Sequence, residues 1–295
     1  MEKSLAENSN GNGQTTTKAS CCLSAWTRRR LCYLAIFLVV CIVILLPCLL
    51  VMGRTCVLPS NYNQPLSSSS TSRNADRPFN VILFGDSLIA NPFAGYDLAQ
   101  RIQAYLPKYT LTLYNEGQGG TTISSMLRRL STIVDNQRYT TIDAVMMLWD
   151  SDAADTDEGG MTGPQIASLR AYYRSNITAV VRGLRSHKAG VFVSIAGPVL
   201  MGESSRMSTS DEQKTFARKQ QMMDDYVEIN RQMAHSLNVS YINLRAAYKE
   251  LLPAYRMAYD GCYTIDGEHP NSNGAQVTAK LLSQQLLVWL VGVFG

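Results

Sequence analysis

Between residues 78 and 290 the sequence alternates between short apolar runs and longer amphipathic stretches. Runs typical of β-strands occur at Val81–Phe84, Leu111–Tyr114, Ala144–Trp149, Val191–Ala196 and Val239–Leu244. Helical patterns follow them at 95–105, 121–132, 164–187, 212–237 and 272–290. Strands that alternate with helices of this length form a parallel sheet, because the helix carries the chain back to the end of the sheet where the previous strand began. The pattern predicts one three-layer α/β/α domain over 78–295, with about five parallel strands.

A long apolar segment precedes this domain. Residues 31–52 are 22 residues without a charge, enough to span a bilayer. Three arginines at 28–30 stand before the segment and only Arg54 follows it closely. The positive-inside rule then keeps the polar, disordered tail 1–30 in the cytosol and sends the C-terminal domain across the membrane. We expect an uncleaved transmembrane anchor at 31–53, with cleavage as a signal peptide as the alternative.

The segment 54–77 joins the anchor to the domain. It contains Pro59, Pro65 and a run of serines at 67–70, a composition typical of a flexible stalk. The net charge of +4 resides mostly in residues 1–53. The remainder carries 22 basic and 21 acidic residues, which excludes the basic face of a nucleic-acid-binding protein.

The cysteines are unevenly distributed. Five of the seven lie in or before the apolar segment, and only Cys56 and Cys262 follow it. No two cysteines form a CxxC pair, so neither a zinc site nor a thioredoxin-type motif is supported. A disulfide between Cys56 and Cys262 is one interpretation in an oxidising compartment; two free thiols or a bridge to another chain are the others.

The first motif with chemical potential follows the first strand. There the sequence reads Phe84-Gly85-Asp86-Ser87-Leu88. In an open parallel sheet, ligands bind beyond the carboxyl ends of the strands, so Ser87 is expected at the mouth of the sheet. Asp and Ser are also ordinary turn and N-cap residues, and the motif alone therefore does not establish a nucleophile.

The second motif lies at the other end of the domain. Asp266-Gly267-Glu268-His269-Pro270-Asn271 offers a base that can activate a serine and an acid that can orient the base. The chain has three histidines. His187 ends one helical pattern and His235 lies inside another, where solvated or boundary positions explain them. His269 is the histidine in a loop with a carboxylate three residues before it.

Together these motifs resemble the SGNH hydrolases, also called GDSL esterases or lipases. Gly85–Leu88 is similar to the first block of the family, with Ser87 as nucleophile, and Asp266-x-x-His269-Pro270 to the last. Asn115–Gly120 resembles the second block, whose glycine amide, here Gly120, joins the Ser87 amide in the oxyanion hole. The resemblance implies a flavodoxin-like sandwich and a Ser-His-Asp triad acting on esters, without metal or organic cofactor.

The third block departs from the family pattern. The family has Gly-x-Asn-Asp after the third strand, whereas this chain has Trp149-Asp150-Ser151-Asp152. Ser151 stands where the family has the Asn that donates to the oxyanion. A serine keeps a rotatable O–H donor, so we expect Ser151 to donate, with Asp86, Asp150 and Asp152 supporting the site. A loop cap without a catalytic part is the alternative for Ser151.

Two sequons and the anchor complete the functional hypothesis. Asn176 and Asn238 begin Asn-x-Ser/Thr tripeptides and are glycosylation candidates if the domain is lumenal or extracellular. The favoured interpretation is a type II membrane esterase of the secretory pathway that hydrolyses an acetylated glycan or a lysophospholipid. The alternatives are a Golgi polysaccharide O-acyltransferase and a catalytically silent glycan- or lipid-binding domain.

Overall fold

The protein is represented by a computed structural model. The described residues are 58–66, 77–90, 97–139, 141–150, 158–187, 190–197, 210–251, 262–265 and 268–294, with Tyr33, Leu34, Ile36, Val39 and Asp152. The chain divides into two units, 1–55 and 56–295. The four described residues of the first unit are helical and their apolar side chains are exposed.

The predicted anchor at 31–53 and tail at 1–30 lie almost wholly outside the described residues. Within the part of the chain that is described, no helix is both long and apolar enough to cross a membrane.

The second unit carries the alternating elements. Its strands are β1 (Phe79–Gly85), β2 (Leu111–Gly117), β3 (Ala144–Leu148), β4 (Phe192–Ala196) and β5 (Ser240–Ile242). Its helices are α1 (Ser87–Ala90), α2 (Leu98–Tyr105), α3 (Ile123–Val134), α4 (Gly163–His187), α5 (Ser210–Ser236), α6 (Leu244–Leu251) and α7 (Ser272–Phe294). Among the described residues, 3₁₀ turns occur at Ser60–Asn63 and Glu158–Gly160.

All neighbouring strands pair in parallel, in the order β2-β1-β3-β4-β5. The prediction of a five-stranded parallel sheet flanked by helices is confirmed, and the strand order is that of flavodoxin-like folds. The order reverses at β1, whose carboxyl end pairs with β2 through Gly117 and with β3 through Leu148. This reversal is the switch point at which such sheets bind ligands.

The two faces of the sheet form separate apolar cores. On β1, Val81 and Leu83 pack on the side that includes side chains of α2 and α7. Ile82 and Phe84 pack on the opposite side, with side chains of α3, α4 and α5. All seven residues of β1 are buried because helices cover both faces, which explains the uninterrupted apolar run Val81–Phe84.

The end of the last strand differs from the prediction. The apolar run at 239–244 suggests a strand through Leu244, but β5 ends at Ile242 and α6 begins at Leu244. The physical reason is Asn243, whose side-chain oxygen accepts a hydrogen bond from the Ala246 amide at 2.9 Å and caps the helix.

Part of the predicted stalk is instead packed on the domain. Residues 58–66, which we call the docking segment, bury Leu58 and partly bury Tyr62 and Leu66 against the core on the α2–α7 side of the sheet. The prediction of a flexible stalk at 54–77 is therefore wrong for this stretch, because these apolar side chains find partners on the domain. Residues 67–76 lie outside the described residues.

The two sequons have different environments. Asn176 lies inside α4 with 5% of its surface exposed, so the folded domain has no room for a glycan there and the prediction for Asn176 is corrected. Asn238 is exposed in the turn after α5, with a φ of 49°. Its geometry leaves it open to modification, and glycosylation at Asn238 stays a prediction.

Candidate active site

Ser87 is the first residue of α1 and follows β1 after the single residue Asp86. The chain turns here against the neighbouring strand, because a Cβ at Gly85 would lie 1.7 Å from the Leu148 carbonyl oxygen. Only glycine allows this approach of β1 to β3. The turn leaves Ser87 at the carboxyl end of the sheet with 6% of its surface exposed.

The Asp86 carboxylate fixes this turn. Its side chain is fully buried, and one oxygen accepts a hydrogen bond from the Leu88 amide at 2.9 Å. The other oxygen accepts from the Asp150 amide at 2.7 Å, at the end of β3. Because bonds from amides to a buried carboxylate are charge-assisted, Asp86 ties the serine turn to the loop that follows β3.

The loop after β2 lies beside Ser87. Asn115 donates to the Ile89 carbonyl at 3.0 Å and accepts from the Gly117 amide at 3.0 Å, which holds β2 against α1. A Cβ placed on Gly119 would lie 4.0 Å from the Ser87 Cβ. Gly120 has a φ of 67°, in the left-handed region that favours glycine. The second block therefore brings Gly119 close to the nucleophile.

His269 lies on a loop stabilised by backbone pairing. Thr264 and Pro270 form an antiparallel bridge, and the Ile265 amide donates to the His269 carbonyl at 2.9 Å. Asn271 caps the start of α7: its side-chain oxygen accepts from the Asn273 amide at 2.9 Å. We call the described residues of this stretch, 262–265 and 268–271, the His269 loop.

The structure brings the two motifs together across 182 residues of sequence, with His269 Nε2 lying 3.0 Å from Ser87 Oγ. This is the distance at which a serine hydroxyl donates to an imidazole nitrogen. His187 and His235 are elsewhere: His187 Nε2 is 3.2 Å from the Asp135 carboxylate, and His235 is exposed near the end of α5. Asp266, the predicted third member, lies outside the described residues.

The third block is described in part. Trp149 is buried with its ring centroid 6.3 Å from that of Tyr173, and Asp150 is buried beside Asp86. Asp152 accepts from the Ile123 amide at 2.5 Å, where its negative charge faces the N-terminus of α3. Ser151, the predicted oxyanion donor between them, lies outside the described residues.

Tyr173 supports the third block from α4. Burial raises the pKa of Tyr173 well above its usual value, with the nearby Asp152 charge adding to the effect. The hydroxyl therefore stays protonated, and it donates to the Asn230 side-chain oxygen at 2.8 Å. The bond joins α4 to α5 behind Trp149.

Sequence reasoning gave no individual role to Asn115 or Asn271, although both hold the site. The available signal was a polar amide beside a glycine block or just before a helical pattern. Among the described residues, no group of three or more His, Cys, Asp or Glu side chains could hold a metal ion.

Several solved structures share the fold of this chain. The lipase/acylhydrolase from Enterococcus faecalis superposes with a TM-score of 0.51 at 18% identity, over 70% of this chain and 95% of that one. An acetylxylan esterase from Geobacillus stearothermophilus gives a TM-score of 0.52 at 16% identity, over 70% of this chain and 94% of that one. Identities at this level show a common fold.

Sequence comparison identifies the family as well as the fold. Curated protein sequences gave no match. The family model described as GDSL-like lipase/acylhydrolase matches residues 81–282, which is more than half of the chain. The match includes Ser87, His269 and the second and third blocks between them, and it confirms the prediction of an enzyme that hydrolyses ester bonds. The chain belongs to the GDSL-like lipase/acylhydrolase family.

Proposed function

We propose that the protein is a serine esterase in which Ser87 attacks the ester carbonyl and His269 acts as general base. The observation that carries this proposal is the 3.0 Å separation of His269 Nε2 and Ser87 Oγ. As the Ser87 Oγ–carbon bond forms, the hydroxyl proton passes to His269. His269 then protonates the leaving alcohol oxygen as the ester C–O bond breaks. Water, deprotonated by the same imidazole, releases the acid and restores Ser87.

Asp266 is assigned the third role. A serine can donate to Nε2 only if the imidazole proton resides on Nδ1, and a carboxylate at Nδ1 stabilises that tautomer and the imidazolium that follows. Asp266 precedes His269 by three residues in the same loop. Variants of the Geobacillus stearothermophilus acetylxylan esterase that replace a serine, a histidine, or an aspartate three positions before that histidine are each described as catalytic mutants. Their spacing supports this assignment.

The amides of Ser87 and Gly120 are assigned to the oxyanion hole, with the Ser151 hydroxyl as a further donor. The proximity of Gly119 to Ser87 and the left-handed backbone of Gly120 support the amide pair. An ionised carboxylate repels an oxyanion and cannot donate to it. Asp152 is already engaged by the Ile123 amide, which leaves Ser151 as the donor that this loop can offer.

For the substrate we propose an acetylated carbohydrate. The fold is shared with enzymes described as acetylxylan esterases, and a metal-free serine mechanism suits a small acyl group on a sugar hydroxyl. A lysophospholipid is the competing substrate, and direct assay separates the two.

For the location we propose a type II membrane protein with the esterase domain in the secretory pathway. The uncharged residues 31–52 behind three arginines support the anchor. A disulfide at Cys262 supports an oxidising compartment for the domain.

The test is hydrolysis by the purified full-length chain in detergent. We expect acetate release from acetylated xylo-oligosaccharides by the wild type and none by Ser87→Ala, with no fatty-acid release from lysophosphatidylcholine. Adding unacetylated oligosaccharide separates transfer from hydrolysis, because a transferase would acetylate the acceptor. Equal acetate release by Ser87→Ala would contradict the assignment of the nucleophile. A folded wild type without ester turnover would contradict the proposed function and favour a binding domain.

A further inference from the structure

The docking segment 58–66 lies on the helices that support the His269 loop. Its 3₁₀ turn, Ser60–Asn63, contacts α7, and the Tyr105 hydroxyl of α2 donates to the Tyr62 carbonyl. The Leu66 amide donates to the Tyr105 carbonyl on α2 at 3.0 Å. Leu58 is buried in the same apolar core as Tyr263. A segment with backbone bonds and buried side chains of this kind is part of the domain rather than a linker.

Polar contacts from α7 hold this segment. Gln276 donates to the Tyr62 carbonyl at 3.1 Å and to the Tyr105 hydroxyl at 2.7 Å. Lys280, one turn later, donates to the Asn61 carbonyl at 2.5 Å and lies 4.4 Å from the centre of the Tyr62 ring. The Lys280 side chain is 7% exposed, so the segment covers its ammonium group.

The same turns of α7 determine where the His269 loop sits. Gly274 and Asn273 bond the Asn271 side chain, and Asn273 also donates to the Cys262 carbonyl at 3.2 Å. A Cβ on Gly274 would lie 2.0 Å from the Tyr263 carbonyl oxygen, so the helix and the loop are in direct backbone contact. A shift of the first turns of α7 would therefore shift the loop.

The docking segment and the loop share one apolar core, in which Leu58 and Tyr263 are buried and against which Tyr62 packs. Cys262 opens the loop and is disulfide-bonded. It is the one cysteine among the described residues, so its partner lies outside them, as does Cys56, two residues before Leu58.

We infer that the docking segment is a positioning element of the esterase, which holds α7 and the His269 loop so that His269 stays within hydrogen-bonding distance of Ser87. This inference rests on the proposed function of Ser87 and His269. Without the segment, Ser87 would keep its place, because the sheet fixes it. The His269 imidazole would shift relative to the Ser87 hydroxyl, and misplacement of a reacting group by about 1 Å can lower the rate by about 10²-fold.

The experiment compares two glutamines of α7 in the full-length protein. Gln276 contacts the docking segment, whereas Gln285 lies more than two turns further along α7 and accepts from the Ser240 hydroxyl on β5. We expect Gln276→Leu to lower kcat on a soluble acetyl ester about tenfold at nearly constant KM, and Gln285→Leu to change it less than about twofold. The rate of Ser87 labelling by a fluorophosphonate should fall by the same factor as kcat.

A second variant tests the same contact from Lys280. Lys280→Met removes the bond to Asn61 and should lower kcat, whereas Lys280→Arg keeps a cation and should restore most of it. Unchanged kcat in both Gln276→Leu and Lys280→Met would overturn the inference, as would an equal loss in Gln285→Leu. If the wild type itself shows no Ser87-dependent turnover, the proposed function fails first, and the two failures are thereby distinguished.

Discussion

The nucleophile and the base are held by different kinds of structure. Ser87 follows a strand buried over its whole length, and Asp86 beside it bonds across to β3. His269 lies on a loop held by the Thr264–Pro270 bridge. Ile265, next to Thr264 in this loop, is 43% exposed. The sheet thus fixes the serine, whereas peripheral contacts fix the histidine. Changes near Ser87 should lower stability and activity together, while changes around the His269 loop should lower activity with less effect on folding.

The largest effect is expected for the base itself. His269→Ala should lower kcat by about 10⁴-fold or more, because the serine then lacks its proton acceptor. Since His269 is half-buried on a loop, the melting temperature should change little. The matched control is His187→Ala, which removes an exposed histidine paired with Asp135 and should leave kcat unchanged. Comparable losses in both variants would contradict the assignment.

Asp86→Ala probes the region held by the sheet. Two buried amides, of Leu88 and Asp150, would lose their acceptor, so the free energy of unfolding should fall by about 2–5 kcal/mol. We expect kcat to fall by about 10²-fold, because the serine turn and the third block lose their common anchor.

Asp97→Ala is the control for Asp86→Ala. Asp97 caps α2 at an exposed position, where its carboxylate accepts from the Gln100 amide at 3.1 Å. Its loss should cost about 1 kcal/mol of stability and no activity. Chemical denaturation and kinetics on the same samples provide both measurements. An Asp86→Ala protein that is destabilised but fully active would break the link between this carboxylate and the site.

Ser151→Ala tests the departure from the family pattern. Loss of an oxyanion donor acts on the transition state, so kcat should fall by about tenfold or more at nearly constant KM. Ser151→Asn, which restores the family residue, should remain active. Full activity of Ser151→Ala would assign the position to a loop cap, and loss confined to Asp150→Ala would indicate a protonated carboxyl donor instead.

Gly274→Ala tests whether activity depends on the position of the His269 loop. The added methyl would meet the Tyr263 carbonyl, and we expect kcat to fall about fivefold through displacement of the His269 loop. Gly183→Ala is the control, because its methyl would meet the end of the flexible Leu130 side chain on the far helices. That variant should keep its kcat, and parallel changes in the two would show that the loop is not the sensitive element.

The sequence predicted the sheet because its strands coincide with short β-rich apolar runs, and such runs are local signals. Ser87 and His269 were predictable because their motifs end one strand and precede one helix. The bond from the Asp150 amide to the Asp86 carboxylate was not predictable, since it depends on the register of β1 against β3. Nor was the docking segment, because its two prolines and the serine run that follows it resemble a stalk, and its partners Gln276 and Lys280 lie over 200 residues away.

The most direct test of the Ser87–His269 pair is covalent labelling with a fluorophosphonate, followed by mass spectrometry of the full-length protein. A serine reacts with such a probe only when a base activates it and an oxyanion hole receives the charge. We predict one label per chain, on Ser87, with labelling abolished in Ser87→Ala and slowed by about 10³-fold or more in His269→Ala. A label on another residue, or labelling of Ser87 at the wild-type rate in His269→Ala, would contradict the account.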